Sequence, residues 1–114
     1  EFLLKQLSHY LNHHSQISEV VCVFSMLGDK DINSVVGLLK DSIRLWKIAP
    51  LNVPRAAELS VLTDALAGQA VETYNNVKLA FQSALDETNN NQLILVCGSF
   101  HTLEAVWEYL EECQ

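Results

Sequence analysis

Leu93-Ile94-Leu95-Val96-Cys97-Gly98-Ser99-Phe100-His101-Thr102 is the stretch on which the reading of the fold turns. Its first five residues form an unbroken apolar run, the pattern of a strand buried under helices on both faces, whereas a half-solvated strand would alternate. Gly98 then permits an unusual backbone conformation and the close approach of a ligand or another segment. Ser99 is suited to cap the helix that follows, because its hydroxyl can accept from one of the unpaired amides of the first turn. In that helix Leu103, Val106, Trp107 and Leu110 recur at i, i+3, i+4 and i+7, which predicts one apolar stripe facing a core. The carboxyl end of a strand is where open α/β sheets bind ligands, and the amide end of a helix suits an anion. A tight turn and a cap explain Gly98 and Ser99 equally well, so the motif by itself leaves both readings open.

Moving outward, Val20 to Phe24 is a second apolar run rich in β-branched residues and reads as another buried strand. It empties into Met26-Leu27-Gly28-Asp29-Lys30-Asp31, again at a carboxyl end. Asp31 is placed to cap a helix carrying Ile32, Val35, Val36 and Leu39. Asp29 and Lys30 have no such structural task; they are either loop charges or residues facing the same cleft as Ser99. Arg44 to Pro50 has mixed polarity and a terminal proline, which predicts a strand less deeply buried than the other two. Pro50 and Pro54 bracket a loop, with Pro54 near the start of a helix bearing Leu59, Leu62, Ala65 and Leu66 and stopped at Gly68. Ala70 to Tyr74 is a short extended piece. Asn75 or Asn76 caps a further helix with Val77, Ala80, Phe81, Ala84 and Leu85, and the polar run Asp86 to Asn91 is a surface loop.

Before all of these, Leu3, Leu7, Tyr10 and Leu11 mark an amphipathic helix. Helices and strands therefore alternate along the chain, which predicts an α/β fold with a mainly parallel sheet flanked by helices. The chain opens without a methionine and already inside a helical pattern, so it reads as a fragment.

The 114 residues suit one domain with a real core. Seven basic against fourteen acidic residues, a net charge of -7, make nucleic acid an unsuitable partner, since phosphate backbones require a basic surface. No apolar run is long enough to span a membrane. Cys22, Cys97 and Cys113 are widely spaced with no C-x-x-C pair, and buried free thiols in a reducing cytoplasm are the simplest account. His9 and His13 are four apart and could share a helix face, but no neighbouring acid or cysteine completes a metal-ligand set. A G-x-S-x-G elbow, a P-loop and a G-x-G-x-x-G fingerprint are all missing. What remains is Asp29, Lys30, Asp31, Ser99 and His101 at the ends of two strands. If those strands are neighbours, the five line one crevice, with His101 suited to hydrogen bonding rather than a cationic role. These residues alone support a small-molecule or anion site and specify no reaction.

MLGDKDI, IAPLNVPR and LILVCGSFHT, in that order and at this spacing, resemble the C-terminal domain of bacterial folylpolyglutamate synthase and its bifunctional dihydrofolate synthase form, within the Mur-ligase-like family. The resemblance covers nearly the whole chain. It implies a Rossmann-like sheet with helices on both faces, and residues 1–114 as a single C-terminal, glutamate-ligase domain. It also implies an ATP-dependent carboxylate-amine ligase that activates dihydropteroate, or the terminal glutamate of a folate, as an acyl phosphate, which the amine of L-glutamate then attacks. Ser99, His101, Asp29 and Lys30 would hold glutamate or the acyl-phosphate region, with Asp31 and Ser99 as caps facing the cleft. ATP and Mg2+ would be bound mainly by an N-terminal domain that this chain lacks, and the fragment alone would be inactive. Relatives also carry an Asp-x-x-His-Asn-Pro motif on the first strand of this domain. Glu1 lies just past its expected position, so that first strand is expected to be missing. The expected parent is a monomeric, cytoplasmic enzyme with no nucleic-acid or membrane partner. The competing readings are a non-catalytic α/β binding module and a cell-wall Mur ligase, the latter less compatible with the GSFH sequence.

Overall fold

The computed structural model describes His9 and residues 16–112. The helix expected over Leu3 to Leu11, His13 of the His9–His13 pair and Cys113 lie outside the described residues. Eight elements follow in order: β1 (Glu19–Phe24), α1 (Ile32–Leu39), β2 (Leu45–Ile48), α2 (Leu59–Ala65), β3 (Val71–Thr73), α3 (Val77–Glu87), β4 (Gln92–Cys97) and α4 (Phe100–Glu112). The four strands make one sheet in the order β3-β2-β1-β4, and every pairing is parallel. Parallel neighbours need crossover helices, and the sequence supplies one between each pair of strands.

The sheet is covered on both faces, as the alternation predicts. On one face Cys22, Phe24, Trp46 and Ile48 meet Ile32, Val36 and Leu39 of α1 and Leu62 of α2, and Phe24 and Trp46 pack edge to face with ring centroids 5.2 Å apart. On the other, Val23 and Ala49 meet Val77, Ala80, Phe81 and Ala84 of α3 and Val106 of α4. Period two along the strands sends alternate side chains to the two layers. Helix starts follow their side chains: Asp31 accepts from the Ser34 amide at 3.2 Å and Asn76 from the Leu79 amide at 2.9 Å.

Three expectations are corrected. The Leu45–Ile48 strand is not the shallow one; it lies between β1 and β3, and Trp46, Lys47 and Ile48 are all buried. Its polar residue, Lys47, is accommodated because the three N–H groups of Nζ are surrounded by four acceptors, Glu72 Oε1 at 2.6 Å, Glu87 Oε1 at 2.8 Å, Tyr74 Oη at 3.0 Å and Ser83 Oγ at 3.0 Å. The Leu93–Cys97 strand instead lies at an edge of the sheet among the described residues, with Leu93 to Val96 half-buried and only Cys97 buried. The apolar stripe of α4 also fails to face the sheet as a unit. Val106 is buried, but Leu103 is 47%, Trp107 65% and Leu110 39% exposed. The sheet-facing side is Thr102, Ala105, Val106 and Tyr109, with Tyr109 edge-on to Phe81. A smaller shift concerns Pro54, which precedes a turn through Arg55 rather than the helix itself, α2 starting only at Leu59.

Candidate functional site

β1 and β4 pair directly, Phe24 opposite Cys97, so the loop after β1 and the turn after β4 leave the same edge of the sheet side by side. This adjacency is the condition under which the five polar residues read from the sequence share a region.

The turn after β4 is built around close backbone contact. Gly98 has φ +126°, and a Cβ there would lie 1.8 Å from the carbonyl oxygen of Ser25, the residue that follows β1. The approach that glycine permits is therefore made by another segment of the chain. Next to it the buried Thr102 hydroxyl donates to the Ser25 carbonyl at 2.8 Å. Ser99 is the cap: its Oγ accepts from the Thr102 amide at 3.4 Å and lies 3.3 Å from Thr102 Oγ1. Both contacts are long for hydrogen bonds, so the hydroxyl is weakly held. Ser25 Oγ is fully buried and has no hydrogen-bond partner among the described residues.

The loop after β1 is zipped to the Pro54–Ala57 turn. Gly28 N donates to the Arg55 carbonyl at 2.7 Å and Ala57 N to the Met26 carbonyl at 3.0 Å. Arg55 holds φ +68°, an uncommon conformation for a residue with a side chain, and its guanidinium pairs with Asp29 at 2.9 Å. Asp31 is occupied as a cap, and Ser34 Oγ donates to its second oxygen at 2.6 Å. The Ser34 hydroxyl, and then the Ser34 amide, hold the Asp31 carboxyl below its ordinary value. Lys30 is exposed and makes no ion pair among the described residues.

His101 turns elsewhere. It is half-buried in a cleft of about 380 Å³ between the Pro50–Val53 loop, the start of α3 and the first turns of α4, with Lys78, Glu104 and Glu108 as its charged neighbours. Its Nδ1 is 3.7 Å from Glu104. The five residues thus share one edge, but no hydrogen bond or ion pair joins Asp29, Lys30 or Asp31 to Ser99 or His101 among the described residues. Asp29 and Asp31 are engaged locally, which leaves Lys30, Ser99 and His101 as the groups open to a ligand. Three residues of this edge carried no role in the sequence reading: Ser25, Arg55 and Thr102. Arg55 was visible in the VPR motif, whereas the long-range contacts of Ser25 and Thr102 have no local signal.

The sequence matches the family described as Mur ligase, glutamate ligase domain, over residues 3–100. It is 35% identical over 92 residues to the dihydrofolate synthase/folylpolyglutamate synthase of Escherichia coli, covering 81% of this chain and 21% of that protein. Among solved structures, the bifunctional folylpolyglutamate synthase/dihydrofolate synthase of Yersinia pestis, complexed with AMPPNP and Mn ion, superposes with a TM-score of 0.85 at 29% identity, covering 96% of this chain and 25% of that one. A bifunctional synthase with Mn, AMPPNP and L-glutamate bound gives a TM-score of 0.77 at 30% identity, covering 90% and 25%. The chain spans about a fifth to a quarter of the length of these relatives.

Proposed function

We propose, since this chain belongs to the family of Mur ligase glutamate ligase domains, that it is the C-terminal domain of an ATP-dependent ligase adding L-glutamate to dihydropteroate, to folate or to both. The observation that carries the proposal is the family match over residues 3–100. The names of the relatives and the pairing of β1 with β4 support it. The rest of the parent, a cytoplasmic monomer in this reading, supplies the N-terminal domain and covers the half-exposed β4 edge and the Leu103, Trp107 and Leu110 stripe.

In such a ligase the acceptor carboxylate attacks the γ-phosphorus of ATP and ADP leaves. The glutamate amine then attacks the acyl carbon, its carbon–oxygen bond to phosphate breaks, and inorganic phosphate departs as the new amide loses a proton. The described residues do not fit a magnesium site: no group of three or more His, Cys, Asp or Glu side chains is placed to hold a metal, Asp29 is paired with Arg55, and Asp31 is a cap. The proposal therefore assigns the phosphates and their metal to the N-terminal domain and routes no step of this chain through them.

For this chain the proposed work is holding glutamate. Lys30, with no ion pair among the described residues, offers its ammonium to a carboxylate, and the Ser99 hydroxyl, weakly held by Thr102, can turn toward a ligand. The start of α4 adds amide donors and a partial positive charge. His101 lines its own cleft, with the start of α3 and Glu104, and not the space beside Lys30. In the full-length parent, Lys30→Ala is expected to raise the KM for glutamate roughly 10-fold or more, the loss of one charge-assisted hydrogen bond, with the KM for ATP unchanged. Ser99→Ala is expected to act in the same direction and more weakly. Unaltered glutamate kinetics in both variants would return Ser99 to capping and Lys30 to solvent.

A further inference from the structure

Cys22 and Cys97 sit on adjacent strands, both buried, with their sulfurs 3.3 Å apart. Nothing in the glutamate-binding reading uses them. Two buried thiols can serve simply as small apolar side chains, but this pair has three further properties. The sulfurs already touch, so forming a bond requires them to close by about 1.3 Å. Cys97 ends β4, an edge strand of the sheet among the described residues. Gly98 follows directly and is packed against the Ser25 backbone, so a shift of Cys97 is felt by the turn beyond it.

We propose that Cys22 and Cys97 are a redox pair that forms an intramolecular disulfide when the chain meets a hydroperoxide, locking β4 to β1. Cys97, at the strand end and 6% exposed against 0% for Cys22, reacts first. Its thiolate attacks hydrogen peroxide, the oxygen–oxygen bond breaks, one water leaves after protonation, and Cys97 becomes a sulfenic acid. The Cys22 sulfur then attacks the Cys97 sulfur, the sulfur–oxygen bond breaks, and the departing hydroxide takes up the Cys22 proton as a second water. Two thiols have given two electrons to one peroxide. Burial, and then the contact with Cys97, push the Cys22 thiol well above its ordinary value, consistent with Cys22 entering as the second thiol, whose proton leaves with the departing hydroxide.

Cys22 stands opposite Leu95, so Cys97 is two residues further along β4 and the pair is diagonal. Closing the bond draws the end of β4 along β1. The strain this stores makes the link easy to reduce again, as suits a transient bond rather than a permanent staple. The movement is transmitted at once to Gly98, which has no slack against the Ser25 carbonyl, and to the Ser99 cap beyond it.

The test is peptide mapping of the wild-type chain after brief exposure to hydrogen peroxide, alkylation of remaining thiols and digestion without reductant. The expected result is a Cys22–Cys97 linked peptide that dithiothreitol abolishes, with the Cys113 peptide still alkylated. A rise of about 5 °C in Tm should accompany it, because the link closes a long loop. In Cys22→Ala, Cys97 should stop at a sulfenic acid that dimedone traps. Two alkylated thiols at positions 22 and 97, a link through Cys113, or oxidation of Cys97 to a sulfinic acid in the wild-type chain with Cys22 untouched would each overturn the proposal. Mapping the wild-type chain keeps the result independent of whether the alanine variant folds.

Discussion

Two polar regions of this sheet invite comparison: the Lys47 cluster near β3, and the edge where β1 and β4 end. Around Lys47 the buried ammonium meets two carboxylates and two hydroxyls, and Tyr74 and Ser83 also bond each other at 2.8 Å. Burial alone would lower the Lys47 pKa, but the hydrogen bonds to Glu72, Glu87 and Tyr74 outweigh it and hold the group above its ordinary 10.5. At the other edge the backbone is tightly fixed while side chains are left over: Lys30 has no ion pair, Ser99 is loosely bound, and Ser25 Oγ has no partner, all among the described residues. A domain that satisfies one buried charge so fully and leaves Lys30 and Ser99 open has separated structural polarity from polarity available to a ligand.

The comparison can be broken at its backbone first. Gly98→Ala would force a Cβ into the Ser25 carbonyl and a left-handed φ on an ordinary residue, and should destabilise the chain by about 4 kcal/mol, read as the loss of stability in urea titration. A loss under 1 kcal/mol would mean that the two loops are not pressed together. Next in size, Lys47→Met keeps the buried stem but removes the ammonium that the four oxygens surround. Glu72 and Glu87 are half-exposed and can return to water, so the expected cost is about 2 kcal/mol, below that of breaking a fully buried pair.

A smaller effect concerns acid. The hydrogen bonds from Lys47 and then Tyr74 hold the Glu72 carboxyl below its ordinary 4.5. Its contribution is therefore present above pH 4.5 and disappears as pH falls through the depressed value. Lys47, shifted upward, contributes below 10.5 and loses its contribution only as pH rises through its raised value. Glu72→Gln should flatten the acid limb of a stability-versus-pH curve and leave the neutral region less stable; an unchanged acid limb would remove Glu72 from the cluster. Smallest of all, Lys30→Ala should shift stability by no more than about 0.5 kcal/mol. A loss above 1 kcal/mol in thermal melts would make Lys30 structural and erase the contrast.

The elements were legible in the sequence because the apolar runs at Val20–Phe24 and Leu93–Cys97 and the helical stripes encode local geometry. Depth in the sheet was not, because strand order is a tertiary fact. Lys47 made β2 look shallow, and only Glu72 of β3, Tyr74 just after it, and Ser83 and Glu87 of α3 explain how a lysine sits at the centre. The same limit applies to α4, where an apolar stripe at 103, 107 and 110 adjoins the stripe that packs, and nothing local says which faces the sheet. For the site, the sequence supplied the residues and the neighbouring strands their common edge, while the pairing of Asp29 with Arg55 and the retreat of His101 into another cleft depend on loops folded back from elsewhere.

The contact of Gly98 and Thr102 with Ser25 has an evolutionary consequence. Because the turn after β4 rests on the backbone that leads into the loop after β1, a substitution that shifts one changes which substitutions the other tolerates. Lineages diverging in this domain would accumulate such changes in pairs, and moving either loop alone between relatives would carry an epistatic penalty that moving both together would not.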